Sequence, residues 1–410
     1  MENQKKRRRS KVYFLQAEIN VGLFGHVDHG KTTLTKAITG KWTDTHSEEI
    51  KRGISIRLGY ADSDINFCPS CKKHTFEKKC SCGAETKLKR RISFIDAPGH
   101  ETLMTTAISA SSIIDYALLL ISANEQCPQP QTKEHLMVLE AIGFEKLIIV
   151  QTKIDLVSKE KALENYKQIK EFIGQTKFKD KEIIIIPVCA FHKLNIDTIA
   201  EEIEKRWPTP KRNENDSLRI YISRSFDINK PGMEVKKLNG GVIGGSIARG
   251  IIKNGDDVVL SPGIAQKEGK VKQVTIKVNG LRAENEKLEI AKPGGLIAIG
   301  TNLDPSITKS DGMVGSVIGS KEDPPKVFKE IQIKYQILKR SDMETVSLRE
   351  GEPVVINVHT ATTVGVIDKL KKGTAFIILK KPIACDSGLK AAISKRIGQR
   401  WRLTALGEII

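Results

Sequence analysis

Gly25-His26-Val27-Asp28-His29-Gly30-Lys31-Thr32 matches the pattern G-x-x-x-x-G-K-[ST] and decides the fold of the first half of the chain. An apolar run precedes it at residues 20–24, and residues 33–39 can form a helix. A strand that leads through a glycine loop into a helix leaves backbone N–H groups without partners, where the helix dipole is positive. The stretch therefore predicts a loop that binds a polyphosphate.

The residues of this loop have different expected roles. Gly25 and Gly30 allow a backbone path that a side chain would block. Lys31 can place its charge against the outer phosphates, and the Thr32 hydroxyl can ligate Mg²⁺. The predicted phosphate-binding residues of the loop are Asp28, His29, Gly30, Lys31, Thr32 and Thr33.

Apolar strand-like runs alternate with amphipathic helical stretches from residue 20 to about residue 207. The predicted strands are 21–24, 92–95, 116–121, 147–150 and 183–188, and the predicted helices are 101–114, 131–142, 159–172 and 195–206. Continuous apolar strands separated by helices indicate a parallel sheet covered on both faces, which is a doubly wound α/β domain. Ligands of such sheets bind at the carboxyl ends of the strands, where the glycine loop lies.

The pattern changes after this domain. Residues 207–217 are rich in proline and polar residues, as expected of an interdomain linker. Short β-rich runs separated by Gly, Pro and Asn follow, which indicates two small β-barrels. The predicted segments are a basic tail at 1–11, an α/β domain at 12–210, a first barrel at 211–324 and a second at 325–410. The glycine string at 240–245 lacks GK[ST] and predicts turns and bulges.

Composition bears on the partners. The 410 residues include 67 Lys plus Arg against 49 Asp plus Glu, a net charge of +18. Such an excess suggests a polyanionic partner, nucleic acid first and an anionic membrane surface second, although a solvated basic surface is the alternative. No apolar run reaches the ~18 residues that a membrane span needs, and no apolar stretch follows the basic N-terminus. We expect a soluble cytoplasmic protein that does not enter a membrane.

A second phosphate-sensing motif follows the predicted strand 92–95. It reads Asp96-Ala97-Pro98-Gly99-His100, an acidic residue at a strand end followed by a flexible turn. Asp96 can reach the Mg²⁺ shell, and the Gly99 N–H can contact a γ-phosphate. The same domain therefore supplies both a phosphate loop and a carboxylate that can support the bound Mg²⁺.

Base recognition is expected at the ends of the next two strands. Asp155 can accept hydrogen bonds from guanine N1–H and N2–H₂, a donor pair that adenine lacks. Further on, the small Ala190 lets a backbone N–H approach the base oxygen. The predicted guanine-binding residues are Thr152, Lys153, Asp155, Cys189 and Ala190.

Four of the seven cysteines cluster as C-x₂-C-x₈-C-x-C, at Cys68, Cys71, Cys80 and Cys82. Four thiolates at this spacing can close a tetrahedral, structural Zn²⁺ site. We expect a zinc ribbon inserted at about residues 66–84. The second pair is one residue tighter than the common CxxC knuckle, and the alternative is a ribbon remnant that folds without metal or stays loose.

These motifs, in this order, resemble those of the translational GTPases, the group that includes elongation factor Tu. Other segments narrow the resemblance to the gamma subunits of archaeal and eukaryotic translation initiation factor 2. Besides the cysteine cluster, they are Lys51-Arg52-Gly53-Ile54-Ser55-Ile56, Ile243-Gly244-Gly245-Ser246, Ala291-Lys292-Pro293-Gly294-Gly295 and Gly398-Gln399-Arg400-Trp401-Arg402.

The resemblance implies a GTP-binding domain followed by two β-barrels. In that family the GTP-bound form carries methionylated initiator tRNA to the small ribosomal subunit, GTP hydrolysis to GDP and phosphate acts as the release switch, and alpha and beta subunits complete a heterotrimer. By resemblance, Lys31 and Thr32 hold phosphate and Mg²⁺, Asp96 supports the metal, and His100 positions the attacking water. This chemistry needs mainly positioning and charge stabilisation.

Three positions depart from the family pattern. Ser55 stands where a threonine usually offers its hydroxyl to Mg²⁺, and Cys189 stands where serine is usual. Thr152 replaces an asparagine, and a shorter hydroxyl is expected to span the loop less well than an amide. Guanine selectivity is therefore expected to rest more heavily on Asp155.

Two alternatives remain open from the sequence. One is a related tRNA-carrying GTPase of the elongation factor type. The other, motivated by Ser55 and Thr152, is a nucleotide-binding assembly scaffold that does not hydrolyse GTP. Tyr60 is a candidate contact for the tRNA acceptor end or a half-buried strand residue, and the basic residues 87–91 are RNA contacts or solvated charges.

Overall fold

The computed structural model describes residues 16–43, 58–97, 108, 112–230, 232–266, 270–338, 346–398 and 400–410. They fall into two compact units. One is Ala17–Pro210, and the other is Lys211–Ile410 together with Gln16. The basic tail and the predicted site residues Ser55, Gly99 and His100 lie outside the described residues.

The first unit is built on one sheet. Its strands are β1 Ile19–Gly25, β2 Gly59–Cys68, β3 Lys73–Thr75, β4 Lys87–Asp96, β5 Tyr116–Ser122, β6 Leu147–Thr152 and β7 Ile184–Pro187. Their order is β3-β2-β4-β1-β5-β6-β7, and the five strands from β4 to β7 in this order pair in parallel. β2 runs antiparallel to β4 and had no counterpart among the predicted strands. The sheet is therefore mixed, with an antiparallel edge on the expected parallel core.

Helices cover both faces of this sheet. They are α1 Lys31–Thr39, α2 Pro130–Ile142, α3 Lys159–Gly174 and α4 Ile196–Arg206. Leu34 of α1 and Ile199 of α4 share a core with Leu23 of β1, whereas the neighbouring Phe24 contacts the ring of His135 in α2. Because side chains alternate along a strand, these contacts identify opposite faces and confirm the doubly wound α/β domain. The predicted helix 101–114 falls mostly outside the described residues, and its described end at 112–113 is a turn.

The second unit contains two closed six-stranded barrels. The first is formed by β8 Arg219–Phe226, β9 Val242–Arg249, β11 Asp257–Ala265, β12 Val271–Ala283, β15 Ile297–Thr301 and β16 Val317–Ser320. Short elements accompany it: β10 Ile252–Lys253, β13 Glu286–Leu288, β14 Ile290–Ala291 and α5 Pro305–Thr308. The second is formed by β17 Val327–Ile337, β18 Pro353–Val358, β19 Ala361–Lys371, β20 Thr374–Ala384, β21 Lys390–Ile397 and β22 Arg400–Ile409. The glycine string enters β9. The register shifts opposite Gly245 and Gly244, but the extra residue is Ser223 of β8, so the irregularity lies on the partner strand and not in the string.

A buried arginine joins the two barrels. Arg219 of β8 donates to Asp323 at 2.9 Å, and its Nε lies 3.0 Å from Asp386, which follows β20. Arg249 of β9 also binds Asp386, at 2.8 Å. Only 4% of the Arg219 side chain is exposed, so its charge is compensated by carboxylates and not by water.

A stacked pair of rings lies at the same junction. Tyr221 of the first barrel and His359 of the second are parallel to within 2°, with ring centroids 4.8 Å apart. His359 Nδ1 accepts backbone N–H groups from Thr360 and Ala361, and Nε2 lies 2.7 Å from the Ala384 carbonyl oxygen. These partners select the neutral imidazole with its proton on Nε2. Burial lowers the pKa of His359 to about 4.

We expect acid to destabilise this unit through His359. The pKa of His359 is near 6.5 in the unfolded chain and about 4 in the fold. Between these two values the unfolded chain binds more protons than the folded one. The folded state is therefore fully stable with respect to this group above pH 6.5 and loses stability as the pH falls to 4. The loss amounts to about 3 kcal/mol. Urea unfolding of wild type and His359→Phe between pH 7.5 and 4 measures it, because phenylalanine keeps a ring and takes no proton.

The control for this measurement is His192→Gln, a change at an exposed histidine of the other unit. It should leave the pH dependence of the barrel transition unchanged. An identical pH dependence in wild type and His359→Phe would contradict the assignment.

Candidate nucleotide site and cysteine cluster

Of the residues that the structure describes, those predicted to bind the nucleotide and Mg²⁺ lie at one edge of the sheet. β1, β4, β5, β6 and β7 are parallel, so their carboxyl ends lie together. The glycine loop follows β1, Asp96 ends β4, Thr152 ends β6, and Cys189 comes two residues after β7. The topology therefore brings the phosphate, metal and base motifs to a common edge.

Gly25 turns the chain out of β1 into the loop. Its φ is +144°, and a Cβ at this position would lie 2.5 Å from the carbonyl oxygen of Leu120 in β5. The loop ends at Gly30, whose left-handed φ of 84° precedes the first residue of α1. Both glycines are thus required by backbone conformation, and Gly25 also by the proximity of β5.

We expect Gly25→Ala to lower the free energy of unfolding of the first unit by at least about 2 kcal/mol, because the new methyl group clashes with backbone and favours another φ. It should also weaken GDP binding. Thermal unfolding and titration with a fluorescent GDP analogue measure the two effects.

The matched control is Gly174→Ala. Gly174 ends α3, and a Cβ there would meet nothing within 4 Å. This variant should be neutral or more stable by about 0.5–1 kcal/mol. Equal stabilities of the two variants would contradict the proposed constraint at Gly25.

Lys31 is folded over the loop that precedes it. Its Nζ donates to the carbonyl oxygens of Gly25 at 3.0 Å and His26 at 2.8 Å, and the residue is only 6% exposed. Gln131 at the start of α2 accepts the Val27 N–H at 3.2 Å. The loop is therefore held from both sides, with the lysine charge within it.

Thr32 and Asp96, the two residues predicted to hold Mg²⁺ near the phosphate loop, are in direct contact. Asp96 is fully buried, and its Oδ2 accepts the hydroxyl of Thr32 at 2.7 Å. Thr43, which the sequence did not single out, donates to the same oxygen at 2.9 Å. Hydroxyl and carboxylate oxygens are the donors that Mg²⁺ prefers, so the residues present fit this ion.

The His29 side chain lies beneath the loop. Nδ1 is 2.9 Å from the Leu120 carbonyl oxygen, and Nε2 is 3.3 Å from Oε2 of Glu125. Burial lowers the pKa of His29, although both partners act in the opposite direction. The imidazole is therefore occupied by protein groups, and a phosphate contact of His29 must involve its backbone.

Thr152 corrects one expectation. Its hydroxyl donates to the His29 carbonyl oxygen at 2.8 Å, and the residue is 2% exposed. β6 approaches the loop closely enough that a side chain shorter than asparagine spans the gap. The hydroxyl therefore ties the base-reading strand to the phosphate loop.

The expected base-reading residues lie on two adjacent loops. Lys153, with a left-handed φ of 58°, precedes a turn of 3₁₀-helix at Ile154–Leu156 that carries the exposed Asp155. Cys189 is 2% exposed, and its Sγ lies within 4.8 Å of an Asp155 carboxylate oxygen. Burial, reinforced by Asp155, raises the pKa of this thiol. Ala190 follows and is half-buried.

The four clustered cysteines converge. Their Sγ atoms all lie within 4.8 Å of one another, with Cys68 to Cys82 at 3.6 Å and Cys71 to Cys80 at 3.9 Å. A tetrahedral Zn²⁺ with bonds near 2.3 Å requires S–S separations of about 3.8 Å. The residues therefore fit a Zn²⁺ ion, and the tight second pair does not prevent convergence.

Backbone geometry supports the cluster. The Cys71 N–H donates to Cys68 Sγ at 3.4 Å, and Gly83, at a φ of 87°, turns the chain after the second pair. A hydrogen bond from the Cys82 backbone lowers the pKa of Cys80 to about 6. Hydrogen bonds with Cys82 and Cys80 raise the pKa of Cys71 to about 12. Cys80 thus ionises more readily than Cys71.

The insertion that carries these cysteines is anchored to α4. His74 of β3 binds Glu201 through its backbone N–H at 2.8 Å and through Nδ1 at 2.9 Å. Thr75 donates to Asp197 at 2.6 Å. The insertion is therefore fixed to the α/β domain by polar contacts of its own.

The comparisons with known proteins follow this division of the chain. Residues 16–209 match the elongation factor Tu GTP binding domain, and residues 329–409 match the C-terminal domain of initiation factor eIF2 gamma. The translation initiation factor 2 gamma subunit of Methanocaldococcus jannaschii is 51% identical over 96% of this chain and 98% of its own length. The gamma subunit of Pyrococcus abyssi is 47% identical over 96% of this chain and 98% of its own length.

The chain belongs to the translation initiation factor 2 gamma family. As a member of it, the chain is a GTPase translation initiation factor that binds GTP and GDP through its first unit.

Solved structures agree with the initiation factor 2 gamma assignment at the level of fold. A bacterial selenocysteine-specific elongation factor superposes with a TM-score of 0.73 and 26% identity, over 96% of this chain and 58% of that chain. Elongation factor SelB of Methanococcus maripaludis, in complex with the GTP analogue GppNHp, superposes with a TM-score of 0.72 and 24% identity, over 97% of this chain and 79% of that chain. One GTPase domain followed by two barrels is thus an arrangement found in translational GTPases.

The remaining candidates of this initiation factor 2 gamma chain have mixed outcomes. Tyr60 lies on β2, half-buried, beside Ile95, and its contact with tRNA stays a prediction. Arg90 and Arg91 are not free basic residues, because they form ion pairs with Glu204 and Asp64, each at 2.7 Å. Within the described ranges, no helix combines the length and apolar character that crossing a membrane requires.

Proposed function

We propose that this chain, in its GTP-bound form, binds methionylated initiator tRNA and delivers it to the small ribosomal subunit, and that hydrolysis to GDP and phosphate releases it. The observation that carries the proposal is the identity near 50% with initiation factor 2 gamma subunits, which extends over 96% of the chain and includes both barrels. Alpha and beta subunits are the proposed partners, and the cytoplasm is the proposed location. The proposed domains remain 12–210, 211–324 and 325–410.

Within this proposal the nucleotide lies along the edge of the sheet. Lys31 and the loop N–H groups hold the phosphates, and Asp155 accepts the guanine N–H groups. The hydrogen bond from the Thr152 hydroxyl to the His29 carbonyl oxygen fixes the position of the base-reading strand relative to the phosphate loop. Mg²⁺, held by Thr32 and Asp96 with Ser55, would offset phosphate charge when bound. His100 as the residue that positions water, Gly99 as the γ-phosphate contact and Tyr60 as a tRNA contact are part of the same proposal.

The four cysteines are proposed to hold a structural Zn²⁺. Their separations support a closed tetrahedral site, and the anchoring of the insertion to α4 keeps this site attached to the GTPase domain. A closed Cys₄ site has no position for a substrate, so its contribution is to folding.

Filter binding with the purified heterotrimer tests the proposed function. Methionylated initiator tRNA and an aminoacylated elongator tRNA are each titrated with GTP and with GDP. We expect binding to be strongest for the initiator with GTP and to weaken with salt, since phosphate contacts release counterions. Equal affinity for both tRNAs would favour an elongation factor type of carrier, and absence of binding would contradict a carrier role.

A further inference from the structure

Three metal-ligating side chains meet at the base-reading end of the site. A carboxylate oxygen of Asp155, Sγ of Cys189 and a ring nitrogen of His192 all lie within 4.8 Å of one another. Asp155 comes from the loop after β6, and the other two come from the loop after β7. Of the residues that the structure describes, the only other group of this kind is the four-cysteine cluster.

The backbone of this second group has the geometry of a metal knuckle. Cys189 and His192 are separated by two residues, and the His192 N–H donates to Cys189 Sγ at 3.4 Å. In the cysteine cluster the Cys71 N–H donates to Cys68 Sγ with the same spacing and the same 3.4 Å distance. Such hydrogen bonds stabilise sulfur when it carries negative charge. The turn at Cys189 thus repeats a feature of the proposed zinc site.

Other contacts fix this turn. The Cys189 N–H donates to the Leu194 carbonyl oxygen at 3.3 Å, and the Leu194 N–H donates back at 2.9 Å. Asn195 Nδ2 donates to the Pro187 carbonyl oxygen at 2.7 Å and closes the base of the turn. Cys189 is therefore held in place, whereas Asp155 and His192 are exposed and can rotate toward a shared ion.

The donor set selects the cation. A thiolate and an imidazole favour Zn²⁺ and similar ions over Mg²⁺ and Ca²⁺, which prefer oxygen ligands. Three protein ligands leave one tetrahedral position open. The thiolate and the carboxylate together balance the two positive charges of the ion.

We propose that Asp155, Cys189 and His192 form a second metal centre for a thiophilic divalent cation, and that this cation and guanine exclude each other because both use the Asp155 carboxylate. The metal centre rests only on the three side chains and the turn. The mutual exclusion rests in addition on the proposed role of Asp155 in reading guanine. A regulatory connection between metal supply and nucleotide binding follows.

Cobalt titration of the nucleotide-free protein tests the metal centre. The cysteine cluster is first loaded with one equivalent of Zn²⁺, which the four-thiolate site binds before the three-ligand centre. Co²⁺ is then added and followed by its thiolate charge-transfer and visible absorption. We expect one equivalent of Co²⁺ to bind. His192→Gln should weaken it by more than roughly 10-fold, the scale on which even supporting residues change metal affinity. Cys189→Ser should abolish the charge-transfer absorption.

Cys127→Ser is the matched control, since Cys127 is a half-buried thiol of the same unit outside both groups. It should bind Co²⁺ as wild type does. His192→Gln changes an exposed residue, so a folding defect does not account for its effect. Failure to bind the additional Co²⁺, or absorption that persists in Cys189→Ser, would overturn the metal centre.

The exclusion has a separate readout. GDP added to the cobalt-loaded protein should remove the absorption. A Co²⁺ concentration that just saturates wild type should raise the apparent Kd for GDP in wild type, and should raise it much less in His192→Gln. Absorption that persists with GDP bound would overturn the exclusion. The tRNA titration is performed without Co²⁺, so failure of the proposed function would be seen independently.

Discussion

Asp155→Asn should lower the affinity for GDP by roughly 10²- to 10⁴-fold, because two hydrogen bonds to a charged acceptor, each worth about 1.5–3 kcal/mol, are lost. The same change should create affinity for xanthosine diphosphate. Xanthine presents a carbonyl where guanine has its amino group, and an asparagine amide can donate to it. Competition of both diphosphates against a fluorescent analogue measures the two affinities in one assay.

The control for this experiment is Asp180→Asn, which removes an exposed carboxylate of the same unit. It should retain the preference of the wild type for GDP. Because the Thr152 hydroxyl contacts the phosphate loop and not Asp155, the switch should not disturb the loop. Unchanged guanine selectivity in Asp155→Asn would show that another group reads the base.

Cys71→Ser should lower the zinc content of the purified protein by one equivalent, the ion of the four-cysteine cluster, and unfold the insertion locally. Structural Zn²⁺ contributes about 10–16 kcal/mol to the folding of small zinc domains, and a hydroxyl is a poor substitute for a thiolate ligand. Cys71 is exposed, so the substitution removes no core packing. Elemental analysis measures the zinc, and limited proteolysis measures the exposure of residues 66–84.

The α/β core should survive this change, since His74 and Thr75 remain bonded to α4. Phe76 of the insertion packs into the core of the sheet, whereas strands and helices outside the insertion supply the other members of that core. Cys127→Ser is the control and should retain the metal. Wild-type protein that contains no zinc, yet resists proteolysis in the insertion, would show that the ribbon folds without metal.

The sequence predicted those features that depend on neighbours along the chain. Continuous apolar runs predicted the parallel strands, and the order of the motifs placed Thr32 and Asp96 close enough for their observed hydrogen bond. By contrast, β2 was not predicted because Asp62, Ser63 and Asp64 interrupt its apolar pattern, and its partner β4 decides its conformation.

The missing site residues have the same explanation. Thr43 reaches Asp96 from 53 positions away, and Gln131 reaches Val27 from 104 positions away. No local pattern marks a threonine or a glutamine for such a contact, because the fold alone brings these side chains to the loop. The short side chain of Thr152 was expected to span the loop poorly. The distance it must span depends on how closely β6 packs against the phosphate loop, which the sequence does not give.

The buried Arg219 has a consequence for how the molecule can be divided. A fragment ending at residue 324 would retain Arg219 and Asp323 but lose Asp386 and the ring of His359 that covers Tyr221. Removing one partner of a buried ion pair costs about 3–5 kcal/mol. Dissection for expression should therefore keep both barrels in one polypeptide, and gene fusions that exchange a single barrel should carry Arg219 and Asp386 together.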